Sequence, residues 1–295
     1  MNKTSAAAPR AGLRDYLELV KFSHTLFALP FALSSMLLAA RGLPSLRIIC
    51  WILVAMVTAR TAAMGFNRIV DRKIDAANPR TAAREIPAGK ISVGQASALV
   101  AVSASLFVGA AYQLNLLAFA LAPLALVILF FYSFCKRFTS WSHMVLGLCL
   151  GIAPVGAWIA VRARWEWEPL VLGAAVLFWV AGFDIIYATM DEEFDRKAGL
   201  RSMVQNFGIA GALRLAQVLH VVFIALLFWF GYLVGMAVLY EAAVALIGLF
   251  LIYEHSIIKP DDLRRVNAAF FTVNGVISVF FLVAVAAEIL LWRKG

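Results

Sequence analysis

Charged side chains are scarce in this 295-residue chain. Asp, Glu, Lys and Arg together make up 15% of it, whereas soluble domains carry about a quarter. Apolar residues fill 63% of the positions, and the mean hydropathy is +0.87. A soluble globular protein is therefore excluded, and the chain is predicted to lie in a lipid bilayer.

Cysteine is also rare, with Cys50, Cys135 and Cys149 and no CxxC pair. This count gives no support to a disulfide framework or a zinc site. A cleavable signal peptide is not expected either. Asp15 and Glu18 precede the first apolar run, which is not followed by a small-residue cleavage site. We therefore interpret that run as a retained transmembrane helix.

Nine apolar runs have close to the ~20 residues that a helix needs to cross the hydrocarbon core. They cover 22–40, 48–66, 93–112, 116–134, 141–160, 170–190, 212–230, 233–252 and 268–292. We predict an all-α, polytopic membrane protein, a bundle of nine transmembrane helices in one domain over 1–295.

The basic residues are distributed unevenly over the loops between these runs. Of the 26 Lys and Arg, 19 fall on the N-terminal side and 6 on the other. Positive loops favour the cytoplasm, so we predict a multi-pass protein of the cytoplasmic (inner) membrane with its N-terminus and charged loops inside. The net charge of +9 is then a topological signal, and no nucleic-acid partner is expected.

Two segments on the predicted cytoplasmic side share a pattern, because Asp71-Arg72-Lys73 recurs as Asp195-Arg196-Lys197. In the first segment Asn67, Asp71 and Asp75 are spaced at i, i+4 and i+8, which places them on one stripe of a helix. In the second, the acids are spaced at i, i+7 and i+11, with Tyr187 beside them: Asp184, Asp191 and Asp195. We expect the two acidic stripes to face each other at the membrane boundary.

Carboxylate and amide oxygens in such a cluster are suited to Mg²⁺, which also takes phosphate oxygens from a substrate. Basic residues surround the acids: Arg68, Arg72, Lys73, Arg80, Arg84, Lys136, Arg137, Arg196, Lys197 and Arg201. Acids and bases together can hold a metal-bound diphosphate. A diphosphate on a membrane-soluble tail implies a prenyl donor.

The two acidic segments resemble the motifs of the UbiA superfamily of intramembrane aromatic prenyltransferases. That family carries an NDxxDxxxD motif after its second helix and a DxxxD motif, preceded by Asp and Tyr, after its sixth. Both patterns are present, except that Arg68 replaces the usual second-position Asp, so no metal role is expected for it. The GFNR form and the segment 21–32 are similar to the 4-hydroxybenzoate polyprenyltransferase-like branch, which includes the menaquinone enzyme of the futalosine route.

The resemblance implies a UbiA-type bundle and a role for each motif residue. Mg²⁺ would be held by Asn67, Asp71, Asp75, Asp191 and Asp195. Catalysis would involve Asp71, Asp184, Tyr187, Asp191 and Asp195, with Tyr132 a further candidate to stabilise an allylic cation. The diphosphate would contact Arg72, Arg80, Arg84, Lys136, Arg137, Arg196 and Lys197. Lys21 and Arg60 would meet the acceptor, and segments 67–92 and 191–211 would cap the site.

The expected reaction is Mg-dependent transfer of a polyprenyl group from its diphosphate to an aromatic acid of the 4-hydroxybenzoate type in quinone biosynthesis, with ubiquinone as one product class. One alternative is prenylation of 1,4-dihydroxy-6-naphthoate, or of another aromatic acceptor, in menaquinone biosynthesis. An alternative of another class is a cation-coupled transporter. Its acids would be expected at mid-span, whereas here they cluster at the cytoplasmic ends of helices.

Overall fold

The computed structural model describes residues 12–20 and 27–292, and they are mostly helical. The α-helices are α1 (Leu13–Leu19), α2 (Leu29–Ala40), α3 (Leu46–Ala77), α4 (Val93–Leu114), α5 (Leu116–Cys135), α6 (Ser142–Arg162), α7 (Glu168–Ala188), α8 (Glu192–Lys197), α9 (Met203–Val234), α10 (Val238–Ser256), α11 (Val266–Ala268) and α12 (Asn274–Ala287). A 3₁₀ turn, Thr189–Asp191, links α7 to α8, and a π-helical turn, Ala269–Val273, links α11 to α12.

Eight helical stretches in the described residues are long and apolar enough to cross a membrane. They match eight of the nine predicted spans. The first predicted span, 22–40, corresponds to the shorter apolar helix Leu29–Ala40, and residues 22–26 of the span lie outside the described residues. The predicted all-α membrane architecture is confirmed, and the chain is an integral membrane protein.

Helices α6 and α7 approach each other closely, and this packing depends on glycine. A Cβ on Gly147 would lie 2.2 Å from the carbonyl oxygen of Leu177, and one on Gly151 would lie 2.4 Å from that of Gly173. Small residues let membrane helices approach backbone to backbone in this way. His143, Gly147 and Gly151 are spaced at i, i+4 and i+8, so the packing brings His143 against α7 as well.

Aromatic and polar side chains connect α7 to α10 and α12. Trp179 is fully buried, and its indole donates to Asn274 Oδ1 at 2.7 Å. Asn274 in turn donates to Glu254 Oε1 at 2.8 Å and to the Ala269 carbonyl at 3.1 Å. The second bond satisfies a carbonyl within the π-helical turn, and such turns are frequent at functional sites. This turn carries Phe270 towards Tyr187, with ring centroids 4.2 Å apart.

Candidate active site

A cavity of about 850 Å³ is enclosed by α3, α5, α6 and α7. Its lining on α3 extends from Ile52 to Asp75, about 35 Å along the helix at 1.5 Å per residue. The lining is apolar along most of this length and becomes charged where α3, α5 and α7 end. The cavity therefore joins a long hydrocarbon-lined space to a polar end.

The first acidic stripe lies at that polar end, because α3 continues helically as far as Ala77. Asn67, Asp71 and Asp75 all line the cavity. Asn67 donates to Asp71 Oδ2 at 3.2 Å. The predicted helical stripe is confirmed.

Asp71 is buried and bound by two cations from the end of α5. Lys136 Nζ lies 2.6 Å from its Oδ2, and Arg137 Nη2 lies 2.9 Å from its Oδ1. Lys136 lines the cavity, whereas Arg137 also bonds the carbonyls of Ser133 and Val70. One buried carboxylate thus holds two basic side chains next to the cavity.

Asp75, one turn further along α3, is buried and paired with Arg84 at 2.6 Å from its Oδ1. Its Oδ2 has no hydrogen-bond partner among the described residues. Arg68 Nη1 lies 4.0 Å from this oxygen, and Arg68 also donates to the Leu19 carbonyl at 3.3 Å. The Arg that departs from the family motif therefore lies behind Asp75 as a buried counter-charge.

The second acidic segment contacts the loop that follows α3. Arg80 Nε donates to Asp191 Oδ1 at 2.8 Å, and its Nη2 contacts Oδ2. Asn78 Nδ2 donates to the same Oδ1 at 3.1 Å. Burial alone would lower the pKa of Arg80, but hydrogen bonding and attraction to Asp191 hold that pKa above its usual value. The two predicted cap segments therefore meet through a charged pair.

Tyr187 lies between this pair and the aromatic wall of the cavity. Its hydroxyl accepts from Arg80 Nη1 at 2.8 Å, and the Arg80 guanidinium lies 5.1 Å from its ring centre. Phe270 and Phe271, from the π-helical turn, lie on its other side. Tyr132 on α5 also lines the cavity. Aromatic faces therefore border the polar end of the cavity.

Asp184 on α7 pairs with His143 on α6, with Nδ1 and Oδ2 2.7 Å apart. Both line the cavity, and His143 is buried. His143 belongs to neither sequence motif and was not among the predicted site residues. Its position on the glycine face of α6 was the available signal, since residues at i+4 and i+8 show that this face packs closely.

The predicted diphosphate contacts divide into two groups. Arg80, Arg84 and Lys136 line the cavity, and Arg137 reaches it through Asp71. The others lie outside the cavity lining: Arg72 is exposed and donates to the Ile69 carbonyl, Arg196 faces Glu192, and Lys197 pairs with Glu193. Arg72 and Arg196 directly follow Asp71 and Asp195, and Lys197 lies one residue further on. Successive residues on a helix point in directions about 100° apart, so these side chains leave the face that carries the acids.

Of the two predicted acceptor contacts, Arg60 lines the cavity from α3, and Lys21 lies outside the described residues. Asp195 lines the cavity near Asp191. Within the described residues the carboxylates do not form a group of three close enough to hold a metal ion. Instead, Asp71, Asp75 and Asp191 are each paired with a basic side chain.

The fold and the cavity together place a long apolar space with a charged end inside a membrane-embedded helix bundle. Residues 28–284 match the family described as the UbiA prenyltransferase family. The 4-hydroxybenzoate octaprenyltransferase of Serratia proteamaculans is 31% identical over 263 residues, 88% of this chain and 89% of the relative. That of Hydrogenovibrio crunogenus is 27% identical over 94% of this chain and 98% of its own length.

Solved structures agree with these sequence matches. The apo structure of a UbiA homolog from Aeropyrum pernix K1 has a TM-score of 0.82 and 34% identity, over 90% of this chain and 98% of that one. A UbiA homolog from Archaeoglobus fulgidus, bound to GPP and Mg²⁺, has the same fold at 24% identity, with a TM-score of 0.74 over 94% and 100% of the two chains.

The chain belongs to the UbiA prenyltransferase family and is an aromatic prenyltransferase. The resemblance drawn from the two motifs is confirmed. This result decides against the transporter alternative.

Proposed function

We propose that this protein transfers a polyprenyl group from a polyprenyl diphosphate to an aromatic acid of the 4-hydroxybenzoate type, in ubiquinone biosynthesis. One observation carries the proposal: paired acids and bases lie at the polar end of a long apolar cavity. A polyprenyl chain matches the apolar length, and a diphosphate matches the charged end. The curated relatives named for 4-hydroxybenzoate support the choice of acceptor.

The donor set at the polar end fits Mg²⁺, because it consists of carboxylate and amide oxygens and includes a buried carboxylate oxygen, Asp75 Oδ2, without a hydrogen-bond partner among the described residues. Asn67, Asp71 and Asp75 would hold the metal from α3, and Asp191 and Asp195 from the opposite segment. When bound, Mg²⁺ would neutralise diphosphate oxygens and so favour departure of the leaving group. The GPP and Mg²⁺ bound to the Archaeoglobus fulgidus homolog agree with this assignment.

The basic side chains supply the other half of the diphosphate site. Lys136 and Arg137 contact Asp71, Arg84 contacts Asp75, and Arg80 contacts Asp191. Each of these basic side chains is therefore paired with a carboxylate that we assign to the metal. When the metal and the diphosphate bind together, these cations are free to turn to the phosphate oxygens, so the site exchanges one set of charge pairs for another. Arg72, Arg196 and Lys197 would add only longer-range attraction.

The aromatic side chains protect the reactive centre. Loss of diphosphate leaves an allylic cation, which water would consume, so the cavity has to be dry and bordered by ring faces. Tyr187, Tyr132 and Phe270 provide these faces. The aromatic ring of the acceptor attacks the allylic cation. Arg60 binds the carboxylate of the acceptor, and Asp184 accepts the ring proton. Lys21 would also meet the acceptor.

The proposed site lies at the cytoplasmic side of the membrane. Segments 67–92 and 191–211 form a cap on the cytoplasmic side of the inner membrane, and they meet where Asn78 and Arg80 bind Asp191. The Arg201 amide donates to the Lys136 carbonyl at 2.8 Å, which connects the second segment to the end of α5. The cap thereby lies over the charged end of the cavity and excludes water when the donor is bound.

Purified protein in lipid vesicles, given Mg²⁺ and a polyprenyl diphosphate, tests the proposal. We expect a prenylated product from 4-hydroxybenzoate. Running 1,4-dihydroxy-6-naphthoate in parallel tests the menaquinone alternative, since a strong preference for the naphthoate would overturn the assignment of the acceptor. Without product from any aromatic acid, the proposed reaction is wrong.

A further inference from the structure

We propose that His143 is a positioning residue for the transfer reaction: it holds the Asp184 carboxylate so that Asp184 receives the proton lost from the aromatic acceptor. This inference rests on the proposed function, because it requires an aromatic ring to be prenylated in the cavity. It assigns a role to a histidine that neither motif contains.

The contact between the two side chains fixes the roles of their atoms. An ionised carboxylate is an acceptor only, so the 2.7 Å contact between Asp184 Oδ2 and His143 Nδ1 places the hydrogen on Nδ1. Asp184 makes no other hydrogen bond among the described residues, which leaves its Oδ1 for a substrate proton. His143 thereby stops the carboxylate from rotating and keeps the same oxygen available in each turnover.

The backbone around the pair is rigid. His143 lies one turn before Gly147, whose Cα is held so close to Leu177 that a Cβ would lie 2.2 Å from its carbonyl oxygen. Asp184 lies two turns after Leu177 on the same side of α7. The close packing of α6 on α7 therefore sets the distance between imidazole and carboxylate. The imidazole is also buried, and its Nε2 has no hydrogen-bond partner among the described residues, so Asp184 is the one group that orients it there.

The transfer reaction breaks a carbon–oxygen and a carbon–hydrogen bond, and it forms a carbon–carbon and an oxygen–hydrogen bond. The bond between C1 of the prenyl chain and the diphosphate oxygen breaks, and its electron pair leaves with the diphosphate. A π electron pair of the acceptor ring forms the new carbon–carbon bond. The ring C–H bond then breaks, its electrons restore aromaticity, and the proton moves to Asp184 Oδ1. The proton passes to water when the product leaves.

Other charged side chains lie near Asp184 and His143, but they do not take the place of the hydrogen bond between the two. Among the described residues, Asp195, Lys136 and Arg80 also line the polar end of the cavity, but no hydrogen bond joins any of them to Asp184 or His143. Tyr132, on the α5 side, contributes a ring face and a hydroxyl. Among the described residues, His143 is therefore the hydrogen-bond partner that orients Asp184.

The test is single-turnover transfer at saturating acceptor, with a ring carrying hydrogen or deuterium at the position that is prenylated. In the wild type, proton loss follows bond formation rapidly, so the isotope effect should be near unity. His143→Phe keeps a ring in the same space but removes the donor, and the rate should fall about tenfold to hundredfold with a normal primary isotope effect. His143→Asn retains a donor near Nδ1, and should recover most of the rate and lower the isotope effect.

Two further variants keep the test decisive. Asp184→Asn preserves shape and removes the proton acceptor, so it should show the isotope effect even if His143→Phe fails to fold. His255→Phe is a matched control, because His255 contacts His220 at 2.9 Å and does not line the cavity; its isotope effect should be that of the wild type.

The inference is overturned if His143→Phe keeps its rate within twofold. It is also overturned if His143→Phe or Asp184→Asn becomes slow while the isotope effect stays at unity. A wild type that prenylates no aromatic acid refutes the proposed function instead, so the two failures are distinguishable.

Discussion

A methyl group added at Gly147 should separate α6 from α7. In Gly147→Ala the new Cβ would lie 2.2 Å from the Leu177 carbonyl oxygen and about 3 Å from the Leu177 carbonyl carbon and Cα. These neighbours are backbone atoms that cannot rotate away, and a normal carbon–oxygen contact requires the helices to move apart by about 1 Å. Such overpacking typically destabilises a protein by about 1–3 kcal/mol.

The same displacement reaches the contact between His143 and Asp184. The His143–Asp184 contact of 2.7 Å would lengthen by about 1 Å, beyond hydrogen-bonding range. A misplacement of this size can lower a rate about a hundredfold. We therefore expect Gly147→Ala to lower both the melting temperature in detergent and the prenyl-transfer rate.

The matched control is Gly109→Ala, in which an exposed glycine of α4 has no atom within 4 Å of the added Cβ. This change should leave the melting temperature the same or slightly higher, since Ala favours helix more than Gly. If Gly147→Ala behaves like Gly109→Ala in both measurements, the close packing of α6 on α7 is not as described.

Three further predictions use other parts of the molecule. Lys136→Gln should raise the KM for the donor about tenfold or more, because it removes a charged contact worth about 1.5–3 kcal/mol, whereas Lys73→Gln, at an exposed position outside the cavity lining, should change it less than twofold. Chelation of divalent ions by EDTA should abolish product formation, and added Mg²⁺ should restore it. Asn274→Leu breaks the bonds to Trp179, Glu254 and Ala269, and should lower the melting temperature in detergent by an amount matching about 1–3 kcal/mol.

The fold and the acidic stripes were predictable from the sequence. Hydrophobic runs of the right length are sufficient to locate helices in a bilayer, because each helix satisfies its own backbone hydrogen bonds. The helical period places Asn67, Asp71 and Asp75 on one side of α3. Applied more strictly, the same period separates Arg72 from that side, since it is rotated by about 100° from Asp71.

Pairings between helices were harder to predict, because they depend on which helices are neighbours and how closely they approach. His143 belongs to no motif, and its distance of 41 residues from Asp184 gives no local signal. The contact of Arg80 with Asp191 joins two segments that are 111 residues apart. The π-helical turn that orients Phe270 depends on Asn274, whose partner Glu254 is on another helix.

In the proposed reaction, the two acidic segments together hold a metal-bound diphosphate and promote its departure. The most direct measurement is diphosphate release from a polyprenyl diphosphate by wild type, Asp71→Asn and Asp191→Asn, each with Mg²⁺ and with EDTA. We expect release and product formation only by the wild type with Mg²⁺, and a loss of about a hundredfold or more in each variant. Release that survives either substitution, or that continues unchanged in EDTA, would contradict it.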